Sequence, residues 1–600
     1  MLPHADGYIA HPMTILPKIR RILRDDETHL VDLTRHFFNR FFDIEFISKD
    51  AEAHLGVAHI LALLAIPGAL YAVFSLPSYS YIYWHFTQAR YDALSLSDQC
   101  LYVFTSMSVI GMVAVLEWDR LFPDRWDYAI LMPLPLKLRN IFCAKIVALL
   151  LFVGLFVVAA GGLPILFYPL ISSWAFPLDV SFKSFVWMMA VHGIAVFSGC
   201  VFMFLFFVAL QGVLINLLSG SLSRKISVYV QGLAAIALVC LFFLSPLVPN
   251  LLLTWGRSDR RFLLALPPMW FLGLYRALLG YHDAFFNLLA RVAVLGLALS
   301  AVVAAAAYLV CYRRYSRMSF ESAEDRRPSR FGLRSLASRL VDRLWLEEGP
   351  ERGAFYFVLI TLGRNSKHRL YFVAYVAIGL ALALMGVLEL MVHSARGGLW
   401  ATISRPNEAL LSIPLIISFF TLVGMRAAFG FPAELRANWI FQITEENSGT
   451  KCLAGARKAM IALAIVPIFM STLIVYALLW DLMTSLLTVV FGALLSLILM
   501  ELLLCTFRKI PFTCSHLPGK ANLPLMGAIY WLVFAFYAYL MASLEKWILH
   551  QPLAWIVVFG MELVLLGRIV TYRKSTFADG LGVEYEDPPV STVLTLDLNA

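Results

Sequence analysis

Charge is scarce in this chain. Of 600 residues, 14% are Asp, Glu, Lys or Arg, where an average soluble domain carries about a quarter. Paired cysteines are also lacking. The eight cysteines, at 100, 143, 200, 240, 311, 452, 505 and 514, contain no Cys-x-x-Cys, so they read as small buried hydrophobes rather than a disulfide or zinc framework. The Cys and His of CSHLPGK, two residues apart, give two ligands in one loop and no zinc site. The first thirty residues show no short apolar core with a small-residue cleavage site, so insertion is expected to rely on the spans themselves. No aromatic-plus-basic pattern of a nucleic-acid module stands in a polar region, and nucleic acid is excluded as an expected partner.

What is present is apolar sequence in long runs. Hydrophobic residues make up 60% of the chain, with a mean hydropathy of +0.77. Crossing a bilayer takes about 20 apolar residues per helix. Twelve runs qualify: 56–77, 99–116, 143–171, 184–218, 227–250, 284–312, 370–393, 408–430, 457–480, 482–505, 523–544 and 552–571. Alternating barrel strands would be shorter and less apolar. The expected fold class is therefore all-α, a polytopic helical membrane protein with about twelve transmembrane helices.

Lys and Arg set the expected orientation. Arg20, Arg21 and Arg24 precede the first run, Arg120, Arg125, Lys137 and Arg139 follow the second, and the Arg-rich 313–349 follows the sixth. Lys451, Arg457 and Lys458, then Arg508 and Lys509, then Arg573 and Lys574 continue in every second connection, all read as cytoplasmic. The connection 251–283 breaks this alternation with Arg257, Arg260, Arg261 and Arg276, and its LPPMWFLGLYRALLG suggests short helices dipping into the outer face. The net charge of +9 then belongs mostly beside an anionic inner leaflet.

Six runs on each side of 313–349 point to a repeat. Phe122-Pro123 with Trp126 returns as Phe431-Pro432 with Trp439, each set between the second and third runs of its half. Trp126 to Trp439 and Lys145 to Lys458 are both 313 residues apart (439 − 126, 458 − 145), while the Phe-Pro pairs differ by 309 (431 − 122). Each half also opens with a helix too short or too two-faced to span. Within about 29–47, Leu30, Leu33, Phe37, Phe38, Phe41 and Phe42 share one face, as an interfacial helix requires. ERGAFYFVLITLGRNSKHRL holds the equivalent place in the second half. The expected domains are 1–312, a linker 313–349, 350–575 and a tail 576–600.

The connection Glu117–Lys145 combines Trp126, Tyr128, Leu131 and Met132 with charges and with Pro123, Pro133 and Pro135. Two readings fit: a short helix presented as a docking surface, with aromatic anchors ringed by charge, or a lipid-facing loop with its aromatics at the interface. Its acids Glu117, Asp119, Asp124 and Asp127 could hold Mg²⁺ for chemistry on a lipid diphosphate, but pairing with Arg120 and Arg125 at helical spacing is the simpler account. Glu389, Glu501 and Glu562 lie within apolar runs and are candidates for a transport path. His192 reads as a hydrogen-bonded interior histidine.

The interfacial helix, six spans, the PLPLKLRNIFCAK loop and short outer helices before the sixth span together resemble the permease subunit of type-2 ATP-binding-cassette exporters. Leu134, Pro135, Leu136, Lys137, Ala144 and Lys145 match that family's entry into its third span. The resemblance implies two permease halves fused in tandem. It implies a coupling surface at Phe122, Pro123, Trp126, Tyr128, Leu131, Pro133, Pro135 and Lys137, and at Phe431, Pro432 and Trp439. ITEENSGTKCLAGARKAM departs from the pattern by lacking the double proline. No Gly-x-x-x-x-Gly-Lys-Ser/Thr occurs, and the only Gly-Lys pair, Gly519-Lys520, precedes Ala521. The expectation is a transport subunit rather than an enzyme, with no cofactor in this chain, and with ATP and Mg bound by a separate ATPase partner. A bacterial cytoplasmic membrane with both termini inside is the expected location. The alternatives are an ion-gradient-driven transporter and a membrane-embedded lipid-phosphate transferase.

Overall fold

The computed structural model describes residues 30–41, 71–85, 87–122, 136–174, 181–218, 220–249, 263–281, 283–318, 349–394, 399–431, 449–505, 507–513 and 523–578, together with Gly68, Leu131, Trp345 and Leu346. Among them every regular element is helical. In hydrocarbon no water satisfies backbone N–H and C=O groups, so a helix, which pairs them internally, is the natural state of such runs. Eleven described helices are long and apolar enough to cross a membrane, and the chain is an integral membrane protein. The twelfth expected run, 56–77, is described only at Gly68 and from 71 onward, where a helix covers 71–84.

Contacts divide the chain into two units, 1–231 with 248–323, and 232–247 with 324–600. The first unit contains α1 (30–41), α2 (71–84), α3 (Gln88–Leu116), α4 (Leu138–Trp174), α5 (Phe182–Leu217), the start of α6 (Gly220–Leu244), α7 (Pro267–Leu278) and α8 (Ala284–Met318). Here α3 packs on α4, α5 and α7, and α8 closes on α5 and α7. Residues 313–318, expected to open the linker, instead prolong α8.

The second unit contains α9 (Pro350–Arg364), α10 (Ser366–Ser394), α11 (Leu399–Ile403), α12 (Glu408–Phe429), α13 (Gly449–Met460), α14 (Val466–Leu479), α15 (Leu482–Leu504), α16 (Leu523–Ala535), α17 (Met541–Ile548) and α18 (Pro552–Ala578). Five-residue π-helical segments join α13 to α14 and α16 to α17, so each pair makes one span. The α12 helix packs on α10, α15 and α17, and α15 packs on α14 and α18. In both units the helix before the long loop is the most enclosed span, 67% buried for α3 and 72% for α12 over their apolar windows.

The spans depart from the apolar runs where a polar side chain finds a partner inside. The expected connection 78–98 is largely helix: α3 begins at Gln88, which takes Ser95, Asp98 and Gln99 into the unit's interior. Asp98 is tolerated there because Tyr71 and Tyr79 both donate hydroxyls to it, at 2.8 and 2.7 Å.

Candidate functional site

The first candidate region is the end of α3 and the loop after it. A single 3₁₀ turn, Trp118–Arg120, follows α3. Trp118 is fully buried and its indole donates to Ser227 Oγ at 2.6 Å. Its carbonyl accepts from Gln211, and the Leu121 carbonyl accepts from the Tyr308 hydroxyl. Phe122 stacks on Tyr308, ring centroids 4.4 Å apart, and so points into its own unit. Leu131 is buried as well, and Lys137 is exposed at the start of α4. Pro123, Trp126, Tyr128, Pro133 and Pro135 lie outside the described residues. The expected local ion pair is present, Arg120 to Glu117 at 3.3 Å. Burial pushes the Glu117 carboxyl above its ordinary range, while Arg120 and Lys145 pull it back.

The counterpart in the second unit also turns its phenylalanine inward, but edge-on and against α10 rather than stacked on the last helix. Phe431 meets Tyr371, centroids 4.4 Å apart, and its carbonyl lies 3.1 Å from His368 Nε2. Pro432 and Trp439 lie outside the described residues.

Beside each loop the first helix of the unit is clamped by a lysine at the start of the third span. Lys145 Nζ sits over the α1 rings of Phe37 and Phe41, at 4.8 and 5.1 Å, and Arg120 donates to the Phe41 carbonyl at 3.4 Å. Lys458 Nζ reaches Glu351 of α9 at 2.5 Å and the Trp345 carbonyl at 2.6 Å. Gly455 permits this approach, since a Cβ there would overlap the Glu351 carbonyl oxygen. Gly349, at φ +89°, makes the turn into α9 that other residues rarely adopt. The two lysines, 313 residues apart in sequence, do the same work with different partners.

The second candidate region is a cavity of about 400 Å³ in the first unit, at the end opposite the loop. Four tyrosines (91, 168, 275 and 281), three serines (95, 172 and 184), Gln99, Lys183 and Trp187 line it, with no carboxylate among the lining residues. Behind it His192 Nδ1 lies 2.8 Å from the Tyr275 hydroxyl, a hydrogen-bonded interior histidine. Gln99 Nε2 donates to Ser95 Oγ at 2.8 Å and leaves its carbonyl oxygen without a partner. At the rim, Tyr281 donates to Asp92 at 2.7 Å, and burial, then this bond, pushes its phenol up to about 12. Such a lining offers hydroxyl donors, one amide and one cation. It suits a polar, neutral or anionic group.

The three acids singled out in the second unit have different surroundings. Glu389 is exposed on α10, within electrostatic reach of Tyr539. Glu501 pairs with Arg573 and lies 3.9 Å from Arg457. Glu562 is buried and neither of its oxygens has a partner.

Sequence reading missed Asp98 and Glu545, because each lies one residue beyond an apolar run, those at 99–116 and 523–544. The signal available was tyrosine on the facing segment for Asp98 and the continuing apolar Trp547 and Ile548 for Glu545. The seven described cysteines are all unbridged, and no metal-binding group of three ligands occurs among the described residues. No family model, no curated protein and no solved structure matches this chain.

Proposed function

We propose that this chain is the membrane permease of an ATP-driven exporter, two permease-like halves in one polypeptide, powered by a separate ATP-binding-cassette ATPase. The observation that carries the reading is the repeated clamp. In each unit a short first helix is held by the lysine at the start of the third span, immediately beside the loop that follows the second span. A force applied to that loop reaches the spans through packed groups, because Trp118, Leu121 and Phe122 are tied to Ser227, Gln211 and Tyr308.

In this account the loops at 117–142 and 431–456 and both termini face the cytoplasm of a bacterial inner membrane. ATP and Mg bind the partner, whose closure rocks the two halves and exposes a path to alternate sides. The cavity beside Tyr168 and Tyr275 opens at the outer end. Phe122 and Leu131 are the buried residues of this stretch and Lys137 is exposed, and docking is assigned to Trp126, Tyr128 and Lys137.

A loop variant tests the reading. Replacing Trp126 with Ala together with Leu131–Pro135 is expected to abolish stimulation of the partner ATPase while the chain still elutes as a folded species. Undiminished stimulation in that variant contradicts the docking role.

A further inference from the structure

The second unit contains a ladder of polar side chains that the coupling reading does not use. On α15, Ser485, Thr488, Gly492 and Ser496 recur at spacings of three and four and form one buried stripe. The α17 helix adds Glu545, only 1% exposed, and α18 adds Glu562, 7% exposed. One oxygen of Glu545 and both oxygens of Glu562 have no hydrogen-bond partner. Thr488 faces Glu545, and Glu562 lies within electrostatic reach of Glu545 and Tyr537. Deeper in, the Tyr537 hydroxyl is 3.0 Å from Ser418 Oγ and 2.8 Å from Ser496 Oγ, and Ser496 donates to Ser418 at 3.1 Å.

Helix rise orders these groups by depth. The start of α15, the end of α17 and the start of α18 share one end of the unit, since α17 and α18 are joined by three residues. At 1.5 Å per residue, Glu545 lies about 5 Å below that end, Thr488 about 9 Å, Glu562 and Tyr537 about 15 Å, and Ser496 about 21 Å. The series descends in steps of about one helical turn.

The charged groups on the surrounding helices are engaged elsewhere or exposed. Lys546 pairs with Glu408 at 3.0 Å, outside the bundle. Arg573 and Arg457 serve Glu501. Arg426 donates to the Leu503 carbonyl and covers the Phe507 ring. Arg568 and Lys574 are exposed. Asp481 caps α15 at its surface end. The Tyr476 hydroxyl, the other titratable group near Glu545, donates to the Leu410 carbonyl. An ionised carboxylate so placed has no counter-charge, whereas a carboxylic acid is neutral and offers an O–H to a neighbour. No group of three or more His, Cys, Asp or Glu side chains that could hold a metal ion occurs among the described residues.

We propose that Glu545 and Glu562 are proton-binding stations, with Thr488 between them and the Tyr537–Ser418–Ser496 hydroxyls continuing the path into the bundle, so that this unit takes up and releases protons. Each step is a proton transfer alone. The O–H bond of one carboxyl breaks as an O–H bond to the next oxygen forms, with no change of oxidation state. Intramembrane ionisable groups are the usual carriers of such relays.

The test uses the purified full chain in lipid nanodiscs without any ATPase, so its outcome is independent of the exporter reading. Infrared difference spectra across a pH titration are expected to show the carbonyl stretch of protonated carboxyls at neutral pH. That band is expected to weaken in Glu545→Gln and in Glu562→Gln, to vanish in the double variant, and to persist in Glu501→Gln. An apolar carbodiimide, which attacks protonated buried carboxyls, is expected to modify Glu545 and Glu562 of the wild-type chain and to spare Glu501. A band unchanged in the double variant, or labelling that falls on Glu501 and spares the other two, overturns the proposal.

Discussion

The two units differ in how they treat a buried acid. In the first, Asp98 is 1% exposed and receives two tyrosine hydroxyls. In the second, Glu545 and Glu562 are buried to a similar degree and keep three oxygens without partners. A satisfied acid ties helices together, since its donors would be stranded without it. An unsatisfied acid adds nothing to packing and persists at a cost to stability. The contrast assigns Asp98 to holding α2 against α3, and the two glutamates to function.

The same division runs through the clamps. Lys458 pairs directly, at 2.5 Å, with a carboxylate that is 4% exposed, while Lys145 covers two rings and acts on the Glu117 carboxyl only through its charge. The largest expected effect follows from that difference. Lys458→Met takes a partly exposed cation away from the buried Glu351 carboxylate and should cost about 3 kcal/mol, whereas Lys145→Met, losing cation–π contacts, should cost about 1 kcal/mol. Thermal unfolding of both variants in one detergent measures the gap, and equal losses would mean that the clamps are equivalent after all.

Next in size is the buried acid itself. Asp98→Leu strands the hydroxyls of Tyr71 and Tyr79 and should cost about 2 kcal/mol, while Asp98→Asn keeps an acceptor and should cost much less. Glu545→Gln and Glu562→Gln should leave the melting temperature near the wild-type value or raise it. A loss in the glutamine variants as large as in Asp98→Leu would erase the contrast between the units.

The smallest effect concerns the entry to the fourth span. Asp481 accepts from the Thr484 backbone N–H at 2.9 Å and caps α15, whereas Ser181, at the start of α5, makes no such bond. Its hydrogen bonds to Thr484 hold the Asp481 carboxyl below its ordinary range. A folded value below the unfolded one contributes stability that is complete above the unfolded value and is lost as pH falls through the folded one. Hydrogen exchange at the start of α15 should therefore quicken under acid, with no matching change at the start of α5. Asp481→Asn should abolish the acid sensitivity.

The helical class was legible because a bilayer imposes it on apolar runs of that length. The lysine pair was legible as spacing alone, but its partners were not, since a ring pair on α1 and a carboxylate on α9 have no common sequence signature. Glu562 stood out inside a run. Asp98 and Glu545 did not, because hydropathy ends a run at its first charge, and only tertiary structure shows a helix continuing through it. Glu501 looked like Glu562 in sequence and differs from it only through Arg573 and Arg457, which come from other helices.

The central claim is that this membrane chain works with an ATPase it does not contain. Copurification of the tagged chain from its native host in mild detergent, with mass spectrometry of what accompanies it, tests that claim most directly. The account predicts recovery of an ATP-binding-cassette ATPase that is lost when Trp126 and Leu131–Pro135 are replaced. A chain that returns alone across several detergents would contradict it.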